Sequence, residues 1–132
     1  MAYLLDTNLA IHLRDGDGVV DELVDSLQPP LLLSIVTRIE LEADLGRSQT
    51  DPPVRRRRLD ALLEAVPVLP FGSEEAAAYR NMISICGFSR RKVLDRMIAA
   101  QAITYGATLV TRNGDDFRDI PGLAVENWLA EA

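Results

Sequence analysis

The chain has one cysteine, Cys86, among 132 residues. An intramolecular disulfide is therefore excluded and a cysteine-rich zinc site is not expected; Cys86 is expected to be a small buried hydrophobe. There is also only one histidine, His12. It is a poor general-base candidate, expected to pack or to lie on the surface of the first helix. The chain contains no Ser–His–Asp set, no G-x-x-x-x-G-K-[ST] and no G-x-G-x-x-G. No apolar run approaches the roughly 20 residues that cross a bilayer. The apolar part of "YLLDT" is too short for a signal peptide, and nothing basic precedes it. A soluble, intracellular, cytoplasmic protein is expected. With no internal repeat and no long linker, residues 1–132 read as a single domain.

Hydrophobic residues make up 48% of the chain, enough for a core, and charged residues 26%. The net charge of −6 argues against a simple electrostatic nucleic-acid binder. Thirteen of the fourteen basic residues are Arg, the side chain best suited to bidentate phosphate contact. Two clusters stand out, "RRRR" at residues 55–58 and "RRK" at Arg90, Arg91 and Lys92. Each alone reads as a solvated helix face or terminus.

Strand-like and helix-like stretches alternate. "AYLLD", "LLLS", "VPVLPF", "ATLVT" and "LAVEN" are candidate strands, the third at an edge because Pro67 and Pro70 cannot donate ladder hydrogen bonds. "TNLAIHLR" and "GVVDELVDSL" read as helices, the second stopped by Pro29 and Pro30. "IVTRIELEADLG" reads as a helix ending near Gly46. "RSQTDPP" is a polar loop, and a helix resumes near Val54 with Leu59, Leu62, Leu63 and Val66 as its stripe. "SEEAAAYRNMISIC" is a helix with Ser73 as N-cap, closed by Gly87. "VLDRMIAAQAITYG" is a helix with Leu94, Met97, Ile98, Gln101 and Tyr105 in register. This alternation implies a parallel sheet covered by helices on both faces. Ligands of such sheets bind beyond the carboxyl ends of the strands, where the strand order reverses.

Carboxylates gather at those places. Asp6 follows the first strand, and taken alone it is an N-cap. Glu40 either closes a capping box with Thr37 or, if Ser34 caps the helix, sits in its second turn with no capping task. Glu42 and Asp44 read as solvated. Asp95 has Ile98, Ala99 and Ala102 as helical neighbours, which puts it at the margin of a core-facing stripe. A dipole or Arg96 contact is the plain reading, and a metal-ligand role explains the apolar flank better. "LVTRNGDDF" ends the fourth strand with Thr111, Asn113, Asp115 and Asp116, either a solvated turn or the wall facing Asp6. Together these oxygen ligands suit Mg²⁺ or Mn²⁺ rather than Zn²⁺. Metal-assisted phosphodiester hydrolysis is the reaction class that remains.

"LLDTN", "SIVTRIELEADLG", "LDRMIAAQAITYGATLVTRNGDDF" and "PGLAVENW" resemble, in order and spacing, a PIN domain of the VapC toxin type. The resemblance implies a three-layer α/β/α sandwich with a central parallel sheet in the order 3-2-1-4-5. It implies a Mg²⁺- or Mn²⁺-dependent endoribonuclease, the toxin of a type II toxin–antitoxin pair. It carries the acidic quartet to Asp6, Glu40, Asp95 and one position in "TRNGDDF". Asp116 is favoured there over Asp115, with Asn113 as a polar group of the site. Thr7, Asn8 and Thr111 are expected to hold the site or bound water. Asp44 departs from the family pattern, which more often has a small residue there. Arg112 and the cluster Arg90, Arg91 and Lys92 are candidates for the RNA backbone, the substrate being a structured RNA such as tRNA or rRNA. The resemblance also implies a homodimer and a VapB-type antitoxin. The antitoxin is expected to fill an apolar groove near residues 19–27 and 59–66 and to bring a basic side chain to the acids.

Two other functions compete. One is RNA processing by the same fold without a toxin role. The other is a Mg²⁺-dependent small-molecule phosphohydrolase, disfavoured because Asp6-Thr7-Asn8 lacks the second Asp of a D-x-D motif.

Overall fold

A computed structural model describes residues 2–27, 30–47 and 51–128. Five short strands form one sheet: β1 (Tyr3–Leu5), β2 (Leu31–Ser34), β3 (Val68–Leu69), β4 (Thr108–Thr111) and β5 (Val125–Asn127). Every pairing is parallel, and the order is β3-β2-β1-β4-β5, as expected. The helices are α1 (Thr7–Arg14), α2 (Gly18–Asp25), α3 (Ile35–Arg47), α4 (Pro52–Ala65), α5 (Ser73–Cys86) and α6 (Val93–Tyr105). Short 3₁₀ turns occupy Arg90–Lys92 and Gly114–Phe117.

Side chains alternate across a strand, and here both faces are covered. Leu4 and Leu109 pack on one face with Met82, Ile98, Ala99 and Ala102 from α5 and α6. Leu5 and Val110 pack on the other with Leu9, Leu41 and Leu59 from α1, α3 and α4. The central strands are therefore apolar on both sides, the usual composition of a covered parallel sheet. The order reverses at β1, which pairs with both β2 and β4. The crevice beyond its carboxyl end is the ligand-binding position of this architecture.

Several expectations need correction. The N-cap of α5 is Gly72, and Ser73 is its first helical residue; Glu75 reaches back so that its Oε1 accepts from the Gly72 N–H at 2.6 Å. Helix α4 starts at Pro52 rather than Val54, because a first-turn proline forfeits no helical hydrogen bond. Of the polar loop, residue 47 continues α3, and residues 48–50 lie outside the described residues, as does Pro29. On α6, Leu94 and Tyr105 are 45% and 47% exposed. The buried surface of α6 instead comprises Arg96, Ile98, Ala99, Ala100, Gln101 and Ala102, since the helix is packed by α5, α3 and β4 rather than along one stripe. Cys86 is half-buried, and its Sγ donates to the Asp119 carbonyl at 2.9 Å.

Glu42 and Asp44 are not simply solvated. Glu42 accepts from Arg56 at 2.7 Å. Asp44 Oδ2 lies 2.9 Å from Nη1 of Arg14, a guanidinium shut off from solvent, and 3.3 Å from Nη1 of Arg55. The Arg14–Asp44 contact is close but poorly aligned, an ion contact rather than a formed hydrogen bond. A carboxylate at position 44 compensates a buried charge, which accounts for the departure from the smaller residue.

Candidate metal centre

Asp6 stands immediately after β1 and is 6% exposed. Its Oδ1 accepts from the Leu9 N–H at 3.0 Å, which caps α1. Its Oδ2 accepts from the Thr111 hydroxyl at the end of β4. The cap reading is thus correct, and it leaves the carboxylate at the edge of the crevice. Burial pushes its pKa above the ordinary value, and the bonds from Thr111 and Leu9 and the charge of Arg112 oppose that rise.

Ser34 Oγ accepts from the Val36 N–H at 2.9 Å as α3 begins. Glu40 therefore sits in the second turn and has no capping task. The Thr7 hydroxyl donates to Glu40 Oε1 at 2.6 Å and lies 3.0 Å from the buried Thr37 hydroxyl. Thr37 was legible only as an alternative cap, because its partner lies thirty residues away.

Asp95 occupies the first turn of α6. It does not pair with Arg96, whose guanidinium turns to Gly87 and Asp119. Burial, and then the charges of Asp6, Asp116 and Glu40, raise its pKa to about 6, with Lys92 opposing. The Asn113 N–H donates to Thr111 Oγ1 at 2.9 Å, and the Asn113 side-chain amide donates to Asp116 Oδ2 at 2.8 Å. Asp115 faces away, exposed and paired with Arg118.

These groups line one cavity of about 250 Å³, walled by Asp6, Thr7, Asn8, Ile11, Glu40, Asp95, Asn113, Asp116 and Phe117. Ile11 and Phe117 are additions that the reading of acids alone did not suggest. A larger hollow of about 430 Å³ lies between Glu74 and Tyr105, but it assembles no comparable set of chemical groups. His12 does not line the acidic cavity; its Nδ1 lies 3.4 Å from Asp17.

Among the described residues, no three His, Cys, Asp or Glu side chains already converge at coordinating distance. The hydrogen bonds explain this. Asp6 is turned to Leu9 and Thr111, Glu40 to Thr7 and Asp116 to Asn113. The donor set is nonetheless all oxygen, and its mutual repulsion is the kind a hard cation relieves. The residues present fit a divalent ion.

Arg112 lies close enough to influence Asp6, and its Nε is buried with no hydrogen-bond partner among the described residues. Arg90 and Arg91 are exposed and Lys92 half-buried on the turn that leads into α6. In the other cluster, Arg55 and Arg56 are held by Asp44, Glu42 and Asp60, and Arg58 by the Asp15 carbonyl.

A family model described as "PIN domain" matches residues 3–123. "Ribonuclease VapC1" of Rickettsia felis is 30% identical over 132 residues, covering 95% of each chain. "tRNA(fMet)-specific endonuclease VapC" of Shigella flexneri is 27% identical over 97% of this chain and 98% of that one. Among solved structures, VapBC2 from Rickettsia felis bound to a promoter DNA fragment superposes with a TM-score of 0.86. It is 25% identical and covers 97% of this chain and 99% of that one.

Proposed function

The chain belongs to the PIN domain family, and from that premise we propose that it is a metal-dependent endoribonuclease of the VapC type, the toxin of a type II toxin–antitoxin pair. The observation that carries the reading is the meeting of Asp6, Glu40, Asp95 and Asp116, from four separate segments, around one cavity. Asp6, Asp95 and Asp116 would hold Mg²⁺ or Mn²⁺, with Glu40 as a further ligand or as the group that orients water. A divalent cation there supplies Lewis acidity toward a phosphate oxygen and lowers the pKa of water.

The chain's own residues supply the rest. Thr111 and the start of α1 hold the Asp6 carboxylate in place, and Asn113 does the same for Asp116. Thr7 engages only Oε1 of Glu40, leaving Oε2 to accept a proton from the attacking water. Arg112, beside Asp6, meets the phosphate, and Arg90, Arg91 and Lys92 follow the RNA backbone away from it. The substrate is a structured RNA, of the kind named for the Shigella flexneri relative.

The partner is a VapB-type antitoxin. An apolar groove of about 410 Å³ between α1, α2 and α4, lined by Leu13, Val24, Leu62, Ala65 and Val66 among others, suits its docking segment. A homodimer would bury Ile39, Ile85, Phe88 and Leu94, large apolar side chains left 45–70% exposed. Residues 1–132 act as one domain, in the cytoplasm. No helix among the described residues is long and apolar enough to cross a membrane.

The test is cleavage of total cellular RNA by purified protein with Mg²⁺, with Mn²⁺ and with EDTA. Asp6→Asn is the control, because Asn caps a helix as well as Asp does. Discrete fragments that vanish with EDTA and in the folded variant are the expected result. Metal-independent cleavage, or none by antitoxin-free protein, overturns the reading.

A further inference from the structure

Arg96 takes no part in the chemistry above, yet it is 3% exposed and adjoins Asp95. Its Nη1 donates to the Gly87 carbonyl at 2.6 Å, and its Nη2 to Asp119 Oδ2 at 3.2 Å. The Asp119 carbonyl also accepts from Cys86 Sγ. Asp119 is therefore held twice, by the end of α5 and by the start of α6.

Asp119 lies three residues beyond Asp116, in the turn that directly continues the 3₁₀ turn Gly114–Phe117. This continuous stretch is stitched internally by Asp116 N–H to Asn113 O at 3.0 Å and by Ile120 N–H to Phe117 O at 3.2 Å. Its first end is tied to Thr111 through the Asn113 N–H. Its far end depends on Asp119 and on the buried Phe117 and Ile120. Asp116 also faces the like charges of Asp6 and Asp95. Like charge on these carboxylates opposes the approach of Asp116 to the cavity. A guanidinium buried merely to fill space is costlier than an apolar side chain; Arg96 gives both Nη atoms acceptors, while its buried Nε has none among the described residues.

We infer that the Arg96–Asp119 pair is a positioning element: it anchors the turn that carries Asp116 against the other carboxylates and so sets the affinity of the site for its cation. This rests on the metal reading of the site given above.

Asp119 is 47% exposed at its side chain, so its variants should fold. Mn²⁺ binding is followed through the spectrum of the free ion, and amide exchange is measured on the same metal-free protein. Asp119→Ala is expected to weaken Mn²⁺ binding about tenfold, the low end of what loss of a group bonded directly to a ligand costs, because Asp119 acts on Asp116 only through the turn. The Asp116 and Ile120 amides should exchange faster, and Asp119→Glu should largely restore both properties. In an Asp116→Asn background, Asp119→Ala should weaken Mn²⁺ binding little further. A lower melting temperature with unchanged Mn²⁺ affinity makes the pair merely structural and overturns the inference, as does unchanged exchange. Wild-type protein that binds no Mn²⁺ overturns the metal reading instead, and the exchange data from the same sample distinguish the two failures.

Discussion

Asp95 bears its charge against burial and against three neighbouring carboxylates, so its folded pKa stands near 6 rather than 3.8. An acid whose pKa rises on folding contributes stability below its unfolded pKa and loses it as pH rises through the folded value. Metal-free protein should therefore lose stability from this group between about pH 4 and about pH 6. Asp95→Asn, melted in EDTA, should be more stable than wild type at neutral pH and no more stable at the acid end of the range. Melts that fail to separate at neutral pH would show that burial and the surrounding carboxylates do not oppose the charge as described. Asp44 marks the limit of reading one residue at a time. Its charge has a purpose beside Arg14, thirty positions earlier and on another helix, and beside Arg55.

Helix α6 carries one candidate acid, Asp95, and a buried polar side chain, Gln101. Gln101 was expected in register with Ile98 and is fully buried, as Ile98 is. Its side-chain amide donates to the Leu69 and Pro70 carbonyls at 3.1 and 2.9 Å and accepts from Ser34. It joins the end of β2 to the end of β3 through α6, so α3 leaves the sheet at a set angle. Gln101→Ala removes the acceptor of the buried Ser34 hydroxyl, which still accepts from the Val36 N–H, and the amide donor of the Leu69 and Pro70 carbonyls. It should cost about 2–3 kcal/mol, measured by urea unfolding. A cost near zero would mean that water or a local shift satisfies those groups. Periodicity identified the helix but not the role of Gln101, because its bonds reach residues 31–67 positions away.

Across the whole molecule, the acidic total and the expected nucleic-acid substrate are reconciled by where the charges go. The arginines at positions 55, 56 and 58 are absorbed by internal partners. Arg112 acts on Asp6 and Lys92 on Asp95, and Arg90 and Arg91 are exposed on the turn of Lys92, so under the proposed function the attraction for phosphate would be local. The exposed Ile39 and Leu94 each adjoin a site acid in sequence, which would bring two sites near one another in a dimer. Ile85→Arg combined with Phe88→Arg should yield a monomer by light scattering if wild type is a dimer. A dimer that survives both changes assembles through another face.

The sequence by itself determined the elements, their order and three of the four candidate acids. Those features depend on signals within a few residues, namely helical and strand periodicity, prolines and the polar ends of apolar runs. It also carried the family resemblance, and with it the order of the strands. The resemblance favoured Asp116 over Asp115, and the tertiary structure has Asp116 on the cavity wall and Asp115 turned to Arg118. Tertiary structure alone gave Glu40 to Thr7, Asp44 to Arg14, and Asp119 to Arg96 and Cys86. The pairs Thr7–Glu40, Arg14–Asp44, Arg96–Asp119 and Cys86–Asp119 each join residues more than twenty positions apart, and nothing in the spacing of a sequence records which distant side chains the packed sheet brings into contact.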